Sequence, residues 1–291
     1  MSANNINETP SPRIGETKIE KPLPELVRFR NVSKVFGEGA SAKTALEDVS
    51  FVVEDLPNKG ELVAIVGPSG CGKSTLLRII AGLSPHFPPT KGEAHVFGRA
   101  VENAGSDRGL VDQKYSLLPH LTVLDNIAFG LKLRGVAAKK RRNRACEWVR
   151  KVGLEGAEDR YPSELSGGMQ QRVSIAATLI LGPKILLMDE PFGALDPRIR
   201  LRMQELLIQL WKEQEGTVFL VTHSVEEAVY LGDRVFLMAD KPGRLLEILD
   251  VPRPEEPPEQ TRRKPWFIDF TQGLLRRLEE ETPGTTVTKL K

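Results

Sequence analysis

Cysteine is scarce in this 291-residue chain, which contains Cys71, Cys146 and no other. Two cysteines without a paired spacing exclude a disulfide framework or a cysteine zinc site, and they fit a reduced, cytosolic compartment. An excess of one charge is also lacking, because 41 basic side chains face 39 acidic ones, for a formal net charge of +2. Overall charge therefore gives no reason to expect a nucleic acid or an anionic membrane as partner.

Long apolar runs are absent as well. None approaches the roughly 18 to 20 residues of a membrane span, and the polar first residues lack the apolar core of a secretion signal. We expect residues 1–24 to form a flexible polar tail, because Asn, Ser, Pro and charged residues dominate there. The main domain is expected at 25–250, since a chain of this size builds one sizeable core with at most a subdomain.

The segment 251–291 reads as a proline-rich linker followed by a short amphipathic helix. Apolar residues recur there at helical spacing, namely Phe267, Phe270, Leu274, Leu275 and Leu278. The apolar face would dock onto the chain's own domain or contact a partner.

Three continuously apolar runs predict strands of a parallel sheet that is covered by helices on both faces. They are ELVAIV (61–66), KILLMD (184–189) and TVFLVTH (217–223). Because ligands gather at the carboxyl ends of parallel strands, the residues at these ends are expected to share one site: Gly67, Asp189 and His223.

Other segments have different periods. LVRFRNVSKVF and ALEDVSFVVEDL alternate apolar and polar residues, as half-buried antiparallel strands do. Between about 114 and 165 the period is mostly helical, which indicates a helical subdomain inserted between sheet strands. The predicted fold class is therefore α/β, with a parallel core, an antiparallel β subdomain and an inserted helical subdomain.

A glycine-rich run follows the first buried strand and precedes an apolar-periodic helix, which is the full context of a phosphate-binding P-loop. Its residues are Gly67, Pro68, Ser69, Gly70, Cys71, Gly72, Lys73, Ser74 and Thr75. The glycines let successive backbone N–H groups converge on phosphates, and the helix N-terminus adds positive potential. Lys73 would reach the β- and γ-phosphates of ATP, and Ser74 would offer its hydroxyl to Mg²⁺. Cys71 is interpreted as a small loop residue, with a redox-sensitive thiol as the alternative.

The run LSGGMQQR (165–172) resembles the signature of the ATPase subunits of ABC transporters. Ser166 would begin a helix, and Gly167 and Gly168 would permit close approach of an anion to its exposed N–H groups. The resemblance implies that this turn holds the γ-phosphate bound to a second ATPase subunit, so that two chains enclose two ATP molecules. All motifs look intact, which favours a homodimer. The implied core is a P-loop NTPase of the ABC ATPase type.

Over about 27–250 the resemblance also assigns roles to residues in ILLMDEPFGALD, VTHS and LVDQ. Asp189 would hold Mg²⁺ through water, and Glu190 would be the base that polarises the attacking water. His223 would touch the γ-phosphate and orient Glu190. Gln113 would sense Mg²⁺ and the γ-phosphate and link the core to the helical subdomain.

Three further positions follow from the same resemblance. Phe36 would stack on adenine, and Asp196 matches the loop that crosses to the other subunit. Asp112 departs from the family, whose members commonly have an aromatic residue before the glutamine, and we expect the change to alter local packing.

Within the family, KPGRLLE and LLPHLTVLDNIAFGL most resemble importers of the nitrate, sulfonate, taurine and bicarbonate class. This likeness implies integral membrane permease subunits as partners, a periplasmic or tethered binding protein as an indirect one, and a location at the cytoplasmic face of the inner membrane. Other transport roles, such as lipid or lipoprotein export and sugar or polyamine import, stay open, as do ABC ATPases of translation or DNA repair. No nucleic-acid partner is expected, because the basic run 139–144 has Trp148 and Val149 on the complementary apolar side and is interpreted as a solvated helix face.

Overall fold

The computed structural model describes residues 23–57, 59–114, 116–212, 216–252 and 258–281. Nearly all of the predicted polar tail and half of the predicted linker lie outside these ranges. The strands are β1 (Glu25–Phe36), β2 (Lys43–Glu54), β3 (Glu61–Val66), β4 (Lys91–Val96), β5 (Arg99–Ala100), β6 (Arg108–Val111), β7 (Ile185–Asp189), β8 (Thr217–Val221), β9 (Arg234–Met238) and β10 (Leu245–Asp250). The helices are α1 (Lys73–Ala81), α2 (Val123–Leu133), α3 (Ala138–Lys151), α4 (Gly167–Leu179), α5 (Pro197–Lys212), α6 (Val225–Leu231), α7 (Pro258–Thr261) and α8 (Pro265–Glu280), with short 3₁₀ turns at Gly39–Ser41 and Pro162–Glu164.

The strands form two sheets. A four-stranded antiparallel sheet has the order β2-β1-β4-β5, and a six-stranded sheet has the order β10-β9-β3-β8-β7-β6. In the larger sheet β9, β3, β8, β7 and β6 are parallel to their neighbours, and β10 adds an antiparallel edge. The three predicted apolar strands therefore lie side by side at its centre. The antiparallel β10 edge was not predicted.

Strand β3 separates two hydrophobic cores, and its sequence explains how. All six of its residues are buried. Successive side chains of a strand point to opposite faces. Leu62, Ala64 and Val66 accordingly enter the core that also contains residues of α2 to α6 and α8, whereas Val63 and Ile65 enter the core shared with α1 and the antiparallel sheet.

Helices α2 and α3 lie between β6 and β7 in the chain, within the segment predicted to be a helical subdomain, and pack on each other and on α4. The Thr122 hydroxyl accepts a hydrogen bond from the Asp125 N–H and so caps the start of α2. Gly135 follows the helix with a φ of +74°, and α3 begins three residues later. The connection is thus short, which keeps the two helices adjacent.

The C-terminal helix α8 packs against α6. Phe267, Leu274 and Leu278 are buried in the core beside α6, and Phe270 and Leu275 are partly buried against it. An Arg277–Glu247 ion pair connects α8 to β10. The apolar face expected from the sequence is therefore covered by the chain's own domain.

Candidate functional site

The loop between β3 and α1 curls around the side chain of Lys73. Lys73 is 6% exposed, and its ammonium donates hydrogen bonds of 2.8 Å to the carbonyl oxygens of Gly67 and Pro68. Gly70 and Gly72 have φ values of +80° and +92°, a region that glycine enters without steric cost. The curl predicted from the glycine pattern therefore has a direct backbone cause.

The turn between β9 and β10 packs closely against this loop. A Cβ on Gly243 would lie 1.8 Å from the Cys71 carbonyl oxygen, and a Cβ on Gly67 would lie 2.7 Å from that of Met238. Neither Gly243 nor Met238 was singled out in the sequence. The only sequence signal for this contact was the glycine of KPGR, a segment that lies far along the chain from the loop.

Cys71 is completely buried within the loop. Burial raises the pKa of its thiol, and the positive charge of Lys73 opposes that shift only in part. A thiol that is buried and protonated is a poor redox sensor. These properties support the interpretation of Cys71 as a small loop residue.

Ser74 and Asp189 meet at the start of α1 and the end of β7. The Ser74 hydroxyl donates to Asp189 Oδ1 across 2.8 Å, and Asp189 is 2% exposed. Burial raises the pKa of Asp189, while the Ser74 hydrogen bond and the Arg78 charge lower it. A hydroxyl and a carboxylate in contact are hard oxygen donors of the kind that Mg²⁺ takes from a protein when phosphates supply its other ligands, so the residues fit that ion.

Glu190 lies between Gln113 and His223. Gln113 Nε2 donates to Glu190 Oε2 across 3.1 Å, and His223 Nδ1 lies 3.6 Å from the same oxygen. Glu190 has a φ of +49°, which is rare for a residue with a side chain and occurs at functional sites where the surrounding structure holds it. The three predicted residues thus form one polar cluster next to Asp189. The His223 side chain is 63% exposed and accessible to a ligand.

The Ser166 turn lies apart from this cluster. Ser166 caps α4 by accepting a hydrogen bond of 3.4 Å from the Met169 N–H. Gly168 lies against the segment before Asp196, since a Cβ there would contact the Leu195 side chain at 3.4 Å. Across the described ranges, no hydrogen bond or ion pair connects the turn with the phosphate loop or Glu190 of the same chain.

Asp196 caps α5, because its carboxylate accepts a hydrogen bond from the Ile199 N–H at 3.1 Å. Burial lowers the pKa of Arg172, the last residue of the signature run, and the nearby charge of Asp196 opposes that shift. The loop expected to reach a second subunit is therefore packed beside the Ser166 turn.

Phe36 ends β1 and contacts a residue that the sequence reading did not name. Its ring meets the His86 imidazole edge-on, with centroids 5.2 Å apart, and the Lys34 ammonium lies 5.3 Å from the ring centroid. Burial, together with the charges of Arg78 and Lys34, lowers the pKa of His86. Phe36 itself is half-buried.

Two further residues near Asp189 differ from what the sequence indicated, because Arg78 was not identified there and Asp112 was expected only to alter local packing. Arg78 donates to both carboxylate oxygens of Asp112, at 3.2 and 3.3 Å, and also lies 3.6 Å from Asp189 Oδ2. The predicted effect of Asp112 was on packing, whereas the structure gives it an ion pair. The sequence signal for this ion pair was a lone acid at the end of an apolar strand, together with an arginine about one helical turn beyond Lys73.

A P-loop and adjacent carboxylates at the carboxyl edge of a parallel sheet define a P-loop nucleotide-binding protein. Comparison with known proteins is consistent with that class and narrows it. The model of the ABC transporter family matches residues 46–193. An uncharacterised ABC transporter ATP-binding protein of Methanocaldococcus jannaschii is 43% identical over 268 residues, covering 91% of this chain and 96% of that protein. The chain belongs to the ABC transporter family.

Importer subunits are among its relatives. The nitrate import ATP-binding protein NrtD of Synechocystis is 43% identical, covering 88% of this chain and 97% of its own length. The taurine import ATP-binding protein TauB of Rhizobium johnstonii is 52% identical, covering 71% and 76%. A dimeric ATP-binding cassette bound to ADP and Pi has a TM-score of 0.69 and 33% identity, covering 78% of this chain and 99% of that one. The predicted fold and family are thereby confirmed.

Proposed function

We propose that this chain is an ATP-hydrolysing subunit that energises a membrane permease for import of a small anion of the nitrate, sulfonate or taurine type. One observation carries the proposal. The Ser74–Asp189 pair and the Gln113–Glu190–His223 cluster meet at the carboxyl ends of the parallel strands. In support of the proposal, Ser74 and Asp189 are the kind of donors that a metal needs, and Glu190 is the kind of base that an attacking water needs.

Each residue of the cluster has a distinct task in hydrolysis. Mg²⁺, when bound, neutralises phosphate charge, and Ser74 and Asp189 are the residues that would hold it. Glu190 accepts a proton from the attacking water, while Gln113 and His223 fix the position of its carboxylate. Lys73, with the backbone of the glycine-rich loop, binds the phosphates and aligns them for in-line attack. Phe36 adds stacking on the base with little base specificity.

A second copy of the chain completes the proposed site. Ser166 is exposed, and its turn offers the N-terminus of the 13-residue helix α4 without contacting its own phosphate loop. A helix N-terminus favours an anion such as a γ-phosphate. The Ser166–Gly168 turn and Asp196 of a homodimer partner would close over the bound ATP, so that hydrolysis follows dimer closure.

The coupling to transport is inferred from relatives, among which nitrate, taurine and aliphatic sulfonate import proteins recur. None of the helices in the described part of the chain has the length and apolar character to cross a bilayer. From the same relatives we propose an integral membrane permease as partner, with this chain at its cytoplasmic face and with Leu117 and Leu118, before α2, in the segment that contacts it.

Glu190→Gln tests the catalytic assignment. We expect the variant to bind ATP and accumulate as a dimer in gel filtration with ATP and Mg²⁺, while its ATP hydrolysis falls at least about a hundredfold, because loss of a general base costs about that much. Glu226→Gln, an exposed glutamate in α6, is the matched control and should hydrolyse ATP normally. Near-normal turnover by Glu190→Gln would contradict the assignment.

The transport role needs a separate test. Affinity purification of the tagged full chain from its native membranes should recover a membrane permease, and that permease with its binding protein should take up a small anion only with active ATPase. Purification without any membrane subunit, together with salt-sensitive RNA or DNA binding, would instead support an ABC ATPase outside transport.

A further inference from the structure

Arg78 lies between two carboxylates that belong to different parts of the fold. It projects from α1, contacts both oxygens of Asp112 after β6, and reaches within 3.6 Å of Asp189 at the end of β7. The Asp189 side chain is 3% exposed, whereas those of Arg78 and Asp112 are 27% and 23% exposed. The closest bonds of the guanidinium are therefore made to the more exposed acid.

The position of this cation matters because Asp189 is a proposed Mg²⁺ ligand. A guanidinium that moved fully onto Asp189 would occupy a carboxylate oxygen and would repel an incoming cation. Asp112 offers Arg78 an alternative acceptor, because both of its carboxylate oxygens lie within hydrogen-bond distance of the same guanidinium nitrogen, Nη2. Asp112 thus holds Nη2 of Arg78 at 3.6 Å from the second oxygen of Asp189, which is ion-pair distance but too long for a hydrogen bond.

Asp112 also connects this pair to the loop that carries Gln113. The Lys114 N–H donates to Asp112 Oδ1 at 3.4 Å, so the carboxylate bonds Arg78 and the turn around Gln113 together. A change in the position of this loop would therefore change how firmly Arg78 is held.

We propose that Asp112 and Arg78 are positioning residues that set the divalent-cation affinity of the nucleotide site, with Asp112 keeping Arg78 from capturing Asp189. The inference rests on the proposed function, since it takes Asp189 as a metal ligand. It gives the unusual acid before Gln113 a defined task, which is control of metal affinity rather than of local packing.

The two charges predict opposite effects on metal binding. Asp112→Asn frees Arg78 to pair with Asp189 and should weaken divalent-cation binding about three- to tenfold. Arg78→Met leaves Asp112 and Asp189 unopposed and should tighten it by a similar factor. In the double variant both charges are gone, and the affinity should return to within about twofold of the wild type.

The experiment measures binding of Mn²⁺ to the full-length protein saturated with ADP, by electron paramagnetic resonance of the free ion, so that it does not depend on hydrolysis. Asp250→Asn is the matched control, because Asp250 ends β10 at the opposite edge of the six-stranded sheet. Its affinity should equal that of the wild type. Circular dichroism on each variant confirms folding, and Arg78→Met alone tests the sign if Asp112→Asn does not fold.

Different outcomes would contradict the metal site of the proposed function and the role of the Asp112–Arg78 pair. Wild-type protein that binds ADP but no Mn²⁺ in its presence would refute the metal site of the proposed function. If the wild type binds Mn²⁺ and Asp112→Asn binds it with the same affinity, only the role of the Asp112–Arg78 pair is overturned. The same holds if the double variant binds Mn²⁺ as weakly as Asp112→Asn does. Weaker Mn²⁺ binding by Arg78→Met than by the wild type would also overturn that role.

Discussion

Gln204 donates a hydrogen bond of 2.6 Å to Glu227 in the protein interior and so joins α5 to α6. The Thr222 hydroxyl donates to the other oxygen of the same carboxylate at 2.5 Å, and the Ser224 N–H donates to that hydroxyl at 3.1 Å. His223 stands between Thr222 and Ser224. Its backbone is therefore fixed by a buried network that also includes the helix capped by Asp196.

Removal of the Glu227 carboxylate is expected to destabilise the fold. Glu227→Ala leaves the buried Gln204 and Thr222 groups without their acceptor, which should lower the free energy of unfolding by about 2 to 4 kcal/mol in urea titrations. ATP hydrolysis should fall further than folding alone explains, because His223 loses its support. The neighbouring Glu226 is exposed, and Glu226→Ala should change stability by less than about 0.5 kcal/mol. Equal effects of the two substitutions would contradict the network.

Gly243 is expected to be indispensable for the phosphate loop. A Cβ there would overlap the Cys71 carbonyl oxygen, so Gly243→Ala must displace the loop. We expect ATP affinity, measured by equilibrium binding, to fall at least about tenfold, which corresponds to 1.4 kcal/mol. Gly273→Ala in α8 is the contrasting substitution, because open space surrounds that position and alanine favours a helix by about 1 kcal/mol. A Gly243→Ala protein with wild-type affinity would show that the loop tolerates the displacement.

His86 should make the protein less stable in acid. Burial, with the charges of Arg78 and Lys34, lowers the pKa of His86 below its ordinary value near 6.5, while Asp112 opposes the shift. The unfolded chain therefore binds a proton that the folded chain resists, and stability is lost as the pH falls through 6.5 towards the folded pKa. His86→Gln should reduce the loss between about pH 7.5 and pH 5.5 by less than about 1 kcal/mol, since solvent screens the site. Urea titrations at both pH values measure it; a loss identical to that of the wild type would count against a shifted His86.

The cysteines should differ in reactivity. Cys71 is buried and its pKa is raised, whereas Cys146 in α3 is only partly buried. Brief treatment of the native protein with iodoacetamide should modify Cys146 first, and peptide mass spectrometry should find Cys71 modified at least about tenfold more slowly, because the thiolate is the reactive form. Rapid modification of Cys71, with loss of ATP binding that Cys71→Ser prevents, would restore the redox-sensor alternative.

Much of the fold and site could be predicted because their signals are local in the chain. Continuous burial along β3, β7 and β8 is visible as apolar runs, and the residue after each run marks the sheet edge. Gln113, Glu190 and His223 were expected together, and they do share hydrogen-bond or ion-pair distances. The roles assigned to them in catalysis stay predictions.

Other contacts depend on residues that are distant in the chain and carry no local pattern. Gly243 meets Cys71 only after β10 has turned back on β9. The contact between His86 and Phe36 joins a turn to the end of β1, and the pairing of Arg78 with Asp112 joins a helix to a strand end. Composition and period describe single elements, so they could not show which side chains meet across elements.

The strand order has a consequence for the growing chain. β3, which leads into the phosphate loop, and β7, which ends at Asp189, are not neighbours, because β8 lies between them. β8 is made after both, and Thr217–Val221 must be inserted before the two older strands reach their final spacing. A nascent polypeptide that has emerged from the ribosome only as far as Glu190 thus carries both the loop and its acids, but it lacks the strand that pairs with β3 and β7. We therefore expect competence to bind nucleotide to arise late in synthesis, only after β8 has been made.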